Sequence, residues 1–170
     1  MSGYLPGEEC SQCKGRCCRE HGCSLSPMDL TRVLGHEVTR QGLLSLLQEK
    51  EGLFAIDRCN GGSFYYLRMR HKCFTFIGVD AAGECVALGE QGCLLSFENR
   101  PRGGRDLKSS PDFHCRQEYT LDMMEKDWAP YQELLRGIWE EYEDRFEKDG
   151  TFDACDRAYF EWMKSKRNRG

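Results

Sequence analysis

Apolar residues recur at three- and four-residue steps through Tyr131, Leu134, Leu135, Ile138, Trp139, Tyr142 and Phe146. That period gives a helix one broad apolar face and predicts a helix starting near Pro130. Asp149-Gly150 punctuates its end, and Asp153 is placed to cap a last helix whose inner side carries Cys155, Tyr159, Trp162 and Met163. The chain turns helical from about Tyr119. Nearer the start, Ser26, Pro27 and Asp29 open a helix with a Ser-x-x-Asp box, Leu30, Val33 and Leu34 form its apolar face, and Gly35 ends it. A second helix is expected from about Glu37 to Lys50, with Val38, Leu43, Leu44, Leu46 and Leu47 ahead of a stop at Gly52.

Between Asn60 and Phe97 the pattern shortens to β-prone runs at 63–70, 73–79, 84–88 and 93–97, read as one small antiparallel sheet. Residues 101–111 read as a Gly, Ser and Arg loop. The first 23 residues carry Gly3, Pro6, Gly7, Gly15 and Gly22 and no hydrophobic period, so their own side chains build no core and something else must order them. No internal repeat or low-complexity segment is visible.

The expected class is α+β: a single small metal-stapled domain, residues 1–170, with a Cys-rich N-terminal loop, a short antiparallel sheet and a C-terminal helical hairpin. Within it, 1–116 is the metal-binding region and 117–170 a helical extension. Hydrophobic residues make up 39% and charged residues 31% of the 170 positions, which suits a soluble globular chain. No apolar run approaches the roughly 20 residues of a membrane-spanning helix. The first twenty residues hold Glu8, Glu9, Lys14, Arg16 and Arg19 with no apolar stretch resembling a secretory signal, so a cytoplasmic protein is expected. A net charge of −4 and a pI near 5.6 argue against a general nucleic-acid binder.

The candidate chemistry lies in 11 cysteines, five of them at Cys10, Cys13, Cys17, Cys18 and Cys23. Cytosolic thiols are kept reduced, so this density points to metal or redox chemistry, the alternative being a disulfide-stapled secreted domain. Soft thiolates ligate zinc and iron, and the C-x2-C spacing of Cys10 and Cys13 lets one tight turn place two sulfurs on a common centre. Adjacent Cys17 and Cys18, taken as extended backbone, point to opposite sides and suit more than one metal better than a single tetrahedral zinc. A polynuclear cluster, two separate metals, or one site with spare structural cysteines all satisfy the count. Cys73, Cys85 and Cys93 fall at or near strand ends.

The run Cys10-x-x-Cys13-x-x-x-Cys17-Cys18, followed by Ser-Pro-x-Asp-Leu at 26–30, resembles the zinc- or iron-chelating cysteine-cluster family called YkgJ-like. The segment Gly-Cys-Leu-Leu-Ser-Phe-Glu-Asn-Arg-Pro at 92–101 is similar to that family's second block, and Cys85, eight residues before Cys93, matches its arrangement. The resemblance covers roughly residues 10–116. It implies that Cys10, Cys13, Cys17, Cys18, Cys85 and Cys93 are the main ligands of an iron–sulfur cluster (4Fe-4S) or of zinc. Where the family usually has a further cysteine, three residues after the proline, this chain has Gly104; Cys115 is our inferred replacement, and Cys23 is a further candidate. Relatives that methylate flagellin lysine are associated with an iron–sulfur cluster. An enzyme or enzyme subunit modifying a protein side chain is therefore one alternative. A zinc-stapled interaction module is another, and an exposed apolar stripe on 130–146 would favour it.

The remaining polar candidates read as structural. Cys155 is expected in the core and His71 as a solvated strand-end residue, while Cys59 reads equally as a spare thiol or a ligand and Cys73 equally as a ligand or a packed thiol. His21 and His36 read as turn or cap residues, and His114 beside Cys115 is a possible ligand. Arg100, Arg102 and Arg105 are expected to pair with the acidic 118–149 segment, which carries eleven acidic and four basic side chains, the alternative being an anion held near the metal.

Overall fold

An antiparallel hairpin lies at the centre of the computed structural model, which describes residues 14–20, 22–35, 37–48, 52–59, 63–77, 83–108, 110 and 115–168. Its strands, β1 (Phe54–Cys59) and β2 (Phe64–Met69), pair in register from Phe54 opposite Met69 to Cys59 opposite Phe64. The sequence pattern misses β1, because its first four residues are all buried and an unbroken buried run lacks the alternation that marks a half-exposed strand. Segment 23–25 lies along β2: the Leu25 N–H donates to Leu67 O at 2.8 Å and the Met69 N–H to Cys23 O at 2.9 Å.

Among the described residues the expected single sheet is instead three separate two-stranded ones. No strand forms over 73–77; the chain turns after His71, and Ile77 alone bridges, in parallel, to Ile56. Cys85 bridges to His71. Next comes a minimal hairpin of β3 (Leu88–Gly89) and β4 (Gly92–Cys93), after which the chain leaves strand geometry for a 3-10 turn at Phe97–Asn99. The expected loop after Pro101 contains a one-turn helix and β5 (Leu107–Lys108), paired with β6 (Arg116–Gln117).

Among the described residues the α-helices are, in chain order, α1 (Arg16–Glu20), α2 (Pro27–Leu34), α3 (Arg40–Gln48), α4 (Arg102–Arg105), α5 (Leu121–Trp128), α6 (Gln132–Lys148) and α7 (Thr151–Arg167). The Ser26 capping box forms as expected: the Asp29 N–H donates to Ser26 Oγ at 3.3 Å and the Ser26 N–H to Asp29 Oδ2 at 2.8 Å. Gly35, at φ 71°, closes α2 in the left-handed region. The last helix starts at Thr151, directly after Gly150 at φ 79°, so Asp153 lies inside its first turn and is not its cap.

Helix α6 buries Leu135, Ile138, Trp139 and Tyr142. The stripe at 130–146 is thus largely core and offers no exposed apolar face. These side chains join Leu25, Leu30, Leu43, Leu47, Ile56 and Leu67 in one cluster, so both parts of the chain share a core. Two side chains lock the helices to the hairpin. Gln132 brackets Tyr65, accepting from its N–H and donating to its C=O, each at 2.8 Å, which satisfies an open strand edge. Trp128 donates its indole N–H to Leu25 O at 2.9 Å. Among the described residues, no helix is long and apolar enough to cross a membrane.

Candidate metal centre

Five cysteines from separated parts of the chain line one cavity of about 380 Å³: Cys18, Cys23, Cys85, Cys93 and Cys115. Backbone hydrogen bonds explain how they meet. The Cys85 N–H donates to Cys18 O at 2.7 Å, joining α1 to the turn before β3. On the other flank, the Gly103 N–H donates to Ser24 O at 2.9 Å, holding the arginine loop against segment 23–25. Pairing of β4 with β3 places Cys93 on the wall, and Cys115 immediately precedes β6. Cys85 is buried, at 2% exposure, and the other four are half-buried.

Two glycines make these approaches possible. A Cβ on Gly22 would lie 2.3 Å from Met69 O, and one on Gly103 would lie 2.8 Å from both Ser24 N and Ser24 O. Gly104, where the family resemblance expects a cysteine, also lines the cavity, and a Cβ built there would lie 3.2 Å from Cys23 Sγ.

Cys10 and Cys13 lie outside the described residues, and Cys17 is described only as backbone of α1. Cys17 and Cys18 are helical, not extended, so the alternation argument applied to them from sequence does not hold. Among the described residues, no three Cys, His, Asp or Glu side chains converge closely enough to hold a single metal ion. Cys73 and Cys155 stand apart from this cavity. Burial pushes both thiols up from the usual cysteine range, and the Glu84 carboxylate raises Cys73 further. That favours the protonated form over the thiolate a metal requires.

His71 corrects another expectation: it is 1% exposed, not solvated. The Gly22 N–H donates to its Nε2 at 3.1 Å, and Arg68 Nη1 lies 2.6 Å from the same nitrogen. As acceptor of the Gly22 N–H, Nε2 is unprotonated, and the Arg68 guanidinium lies against the ring, its Nη1 also 3.3 Å from Nδ1. Arg68 is in turn ion-paired through Nε with Asp57 Oδ2 at 2.7 Å, both side chains being over nine-tenths buried. This Asp57–Arg68–His71–Gly22 chain backs the cavity, where Arg68 and Gly22 form part of the wall. Sequence reasoning missed it. The one available signal was Asp57 in an otherwise apolar run, which needs a buried cationic partner.

The arginine loop divides its work. Arg102 pairs with Asp127 at 2.8 Å and Asp106 at 3.1 Å and stacks over Tyr119, which agrees with the expected pairing to the acidic segment. Arg105 instead reaches Asp29, at 2.9 Å. Burial pushes the Asp29 carboxyl up, but the Ser26 and Arg102 backbone N–H groups and the Arg105 guanidinium together hold it below the ordinary aspartate range. Burial and the Asp127 carboxylate push the Tyr119 hydroxyl well above the usual range, so it stays protonated and donates to Asp127 at 3.0 Å. Arg100 lines the cavity itself. His21, His36 and His114 lie outside the described residues. No family model, curated protein or solved structure matches this chain.

Proposed function

We propose that this protein holds an iron–sulfur cluster or zinc through thiolates of its N-terminal and central cysteines, in the reducing setting of the cytoplasm. One observation carries the reading: five cysteines from four regions of the sequence line a single cavity. Soft sulfur donors gathered in this number suit iron or zinc better than hard cations. Cys18, Cys23, Cys85, Cys93 and Cys115 are the described donors, and Cys10, Cys13 and Cys17 complete the set.

The bound centre would fasten the N-terminal segment to the central hairpins and, if it contains iron, supply one-electron redox chemistry. The chain's own residues shape its surroundings. Gly22 and Gly103 let two backbones close on the site, His71 and Arg68 hold the wall behind it, and Arg100 places a cation beside it. Anaerobic purification followed by iron, zinc and acid-labile sulfide analysis tests the reading. The expected result is a brown protein absorbing near about 400 nm or a colourless one with stoichiometric zinc. A Cys85→Ser/Cys93→Ser double variant should lose that metal, while Cys155→Ser keeps it; full metal content in the double variant overturns the assignment.

A further inference from the structure

Two charged side chains, Arg68 and Arg100, stand among the described residues that line the cysteine cavity, and no carboxylate does. Arg68 is matched by Asp57, at 2.7 Å, so that pair adds no net charge to the wall. Arg102 and Arg105, in the same loop as Arg100, turn their charge to Asp106 and Asp127 and to Asp29. Arg100 brings its charge to the sulfurs.

Local structure fixes it there. The Arg100 N–H closes the 3-10 turn at Phe97–Asn99 on Phe97 O, at 3.2 Å, and Pro101 after it keeps the Arg100 backbone extended, with ψ at 146°. Arg100 Nε donates to Leu95 O at 3.4 Å, which lays the side chain along the wall, since Leu95 also lines the cavity. Arg105, anchored on Asp29, donates to Arg100 O and holds the backbone from the other side. Gly104 supplies the clearance: a Cβ there would lie 3.2 Å from Cys23 Sγ, 3.4 Å from Arg100 Cβ and 3.8 Å from Arg100 Cδ. The arginine stem and the Cys23 sulfur therefore face each other across the space that a bare glycine leaves.

A metal centre held by a full set of thiolates is net negative, because the sulfur charges outnumber that of zinc or of an iron–sulfide core. Drawing such a centre out of water is costly unless a cation stands beside it. A guanidinium supplies that cation at every working pH, since it does not deprotonate. Resting on the thiolate reading above, we propose that Arg100 is the counter-charge of that centre. It keeps the sulfurs ionised against competing protons, and in an iron–sulfur cluster it favours the form carrying one more electron. That electron comes from an external one-electron donor and stays on the cluster; no bond to Arg100 forms or breaks.

The test compares the anaerobically purified full chain with Arg100→Gln, Arg100→Lys and Arg157→Gln, each verified as folded by circular dichroism. Arg157 is exposed on α7 and lines no part of the cavity, so its loss removes the same charge elsewhere. If the protein carries iron and sulfide, a dithionite titration read at about 400 nm gives the potential. Arg100→Gln should then be harder to reduce by roughly tenfold in the equilibrium constant, about 59 mV for one electron. If it carries zinc, Arg100→Gln should bind the metal roughly tenfold more weakly against a chromophoric chelator and release it at a higher pH on acidification. Arg100→Lys and Arg157→Gln should stay close to the parent. An Arg100→Gln chain that loses its metal outright supports the proposal when Arg100→Lys keeps it, and overturns it when Arg100→Lys loses it too. Arg100→Gln behaving as the parent, or either other variant shifting as far as Arg100→Gln, overturns the counter-charge and leaves the thiolate reading standing. A parent with neither iron and sulfide nor zinc overturns both.

Discussion

Asp57 and Arg68 form an ion pair removed from water, and its energetics are lopsided. Deleting one partner strands the other charge in a low-dielectric interior, which typically costs about 3–5 kcal/mol. Asp57→Ala should therefore lower stability by about that amount in urea unfolding, with a further loss of order at Gly22 through His71. Asp29 tests the opposite case, a buried carboxylate that keeps its charge. Because its folded pKa lies below the ordinary 3.8, it contributes stability that is complete above that value and lost as pH falls through the folded one. Asp29→Asn should be less stable than the parent in melts near neutral pH, and the gap should narrow below about pH 4. At this scale the sequence was readable where chemistry announces itself. The Ser-x-x-Asp box is a local signal, and it forms as expected; Cys18, Cys23, Cys85, Cys93 and Cys115 line one cavity, while the C-x2-C pair at Cys10 and Cys13 lies outside the described residues. His71 was misread because Arg68-x-Arg70-His71 looks solvated until the pairing of β1 with β2 puts Asp57 beside Arg68.

Elements with their own punctuation and period were legible in the sequence, and those defined by what covers them were not. Helix α2 emerges from its caps and apolar spacing and α3, α6 and α7 from apolar spacing, because those signals are internal to each helix. Strand β1 has no such signal: with Phe54, Ala55, Ile56 and Asp57 all buried, its identity depends on neighbours far along the chain. The very short strands β3 to β6 are similarly invisible, being two residues each and defined only by their partners. Two substitutions measure what holds the elements in place. Ser26→Ala removes an acceptor at the start of α2 and should cost about 1 kcal/mol in thermal or urea unfolding. Gln132→Leu keeps most of the side-chain volume but leaves the Tyr65 N–H and C=O without their amide partner. A loss of about 1–3 kcal/mol is expected, with the larger effect on amide protection along β2.

Across the whole molecule, the carboxy-terminal helices differ in how firmly they belong. Helix α6 inserts four buried side chains into the common core, whereas α7 contains no buried residue and leans on aromatic contacts such as Phe74 with Tyr159 and Phe146 with Phe152. A chain ending at Asp149 should therefore still unfold cooperatively in a thermal melt, at a lower temperature; collapse to a molten state would show that α7 is part of the core. The sequence predicted this hairpin of helices but could not grade its two members, since apolar spacing alone does not say how much of a face a neighbour covers. The glycine-mediated approach of three backbones carries its own consequence. The amide protons of Met69, Leu25, Gly103 and Cys85 are held by carbonyls on a neighbouring segment, and each of those bonds crosses segment 18–25. Pulling that single thread outward would release all four together, so in deuterated water they should exchange as one kinetic group, timed by the withdrawal of the thread.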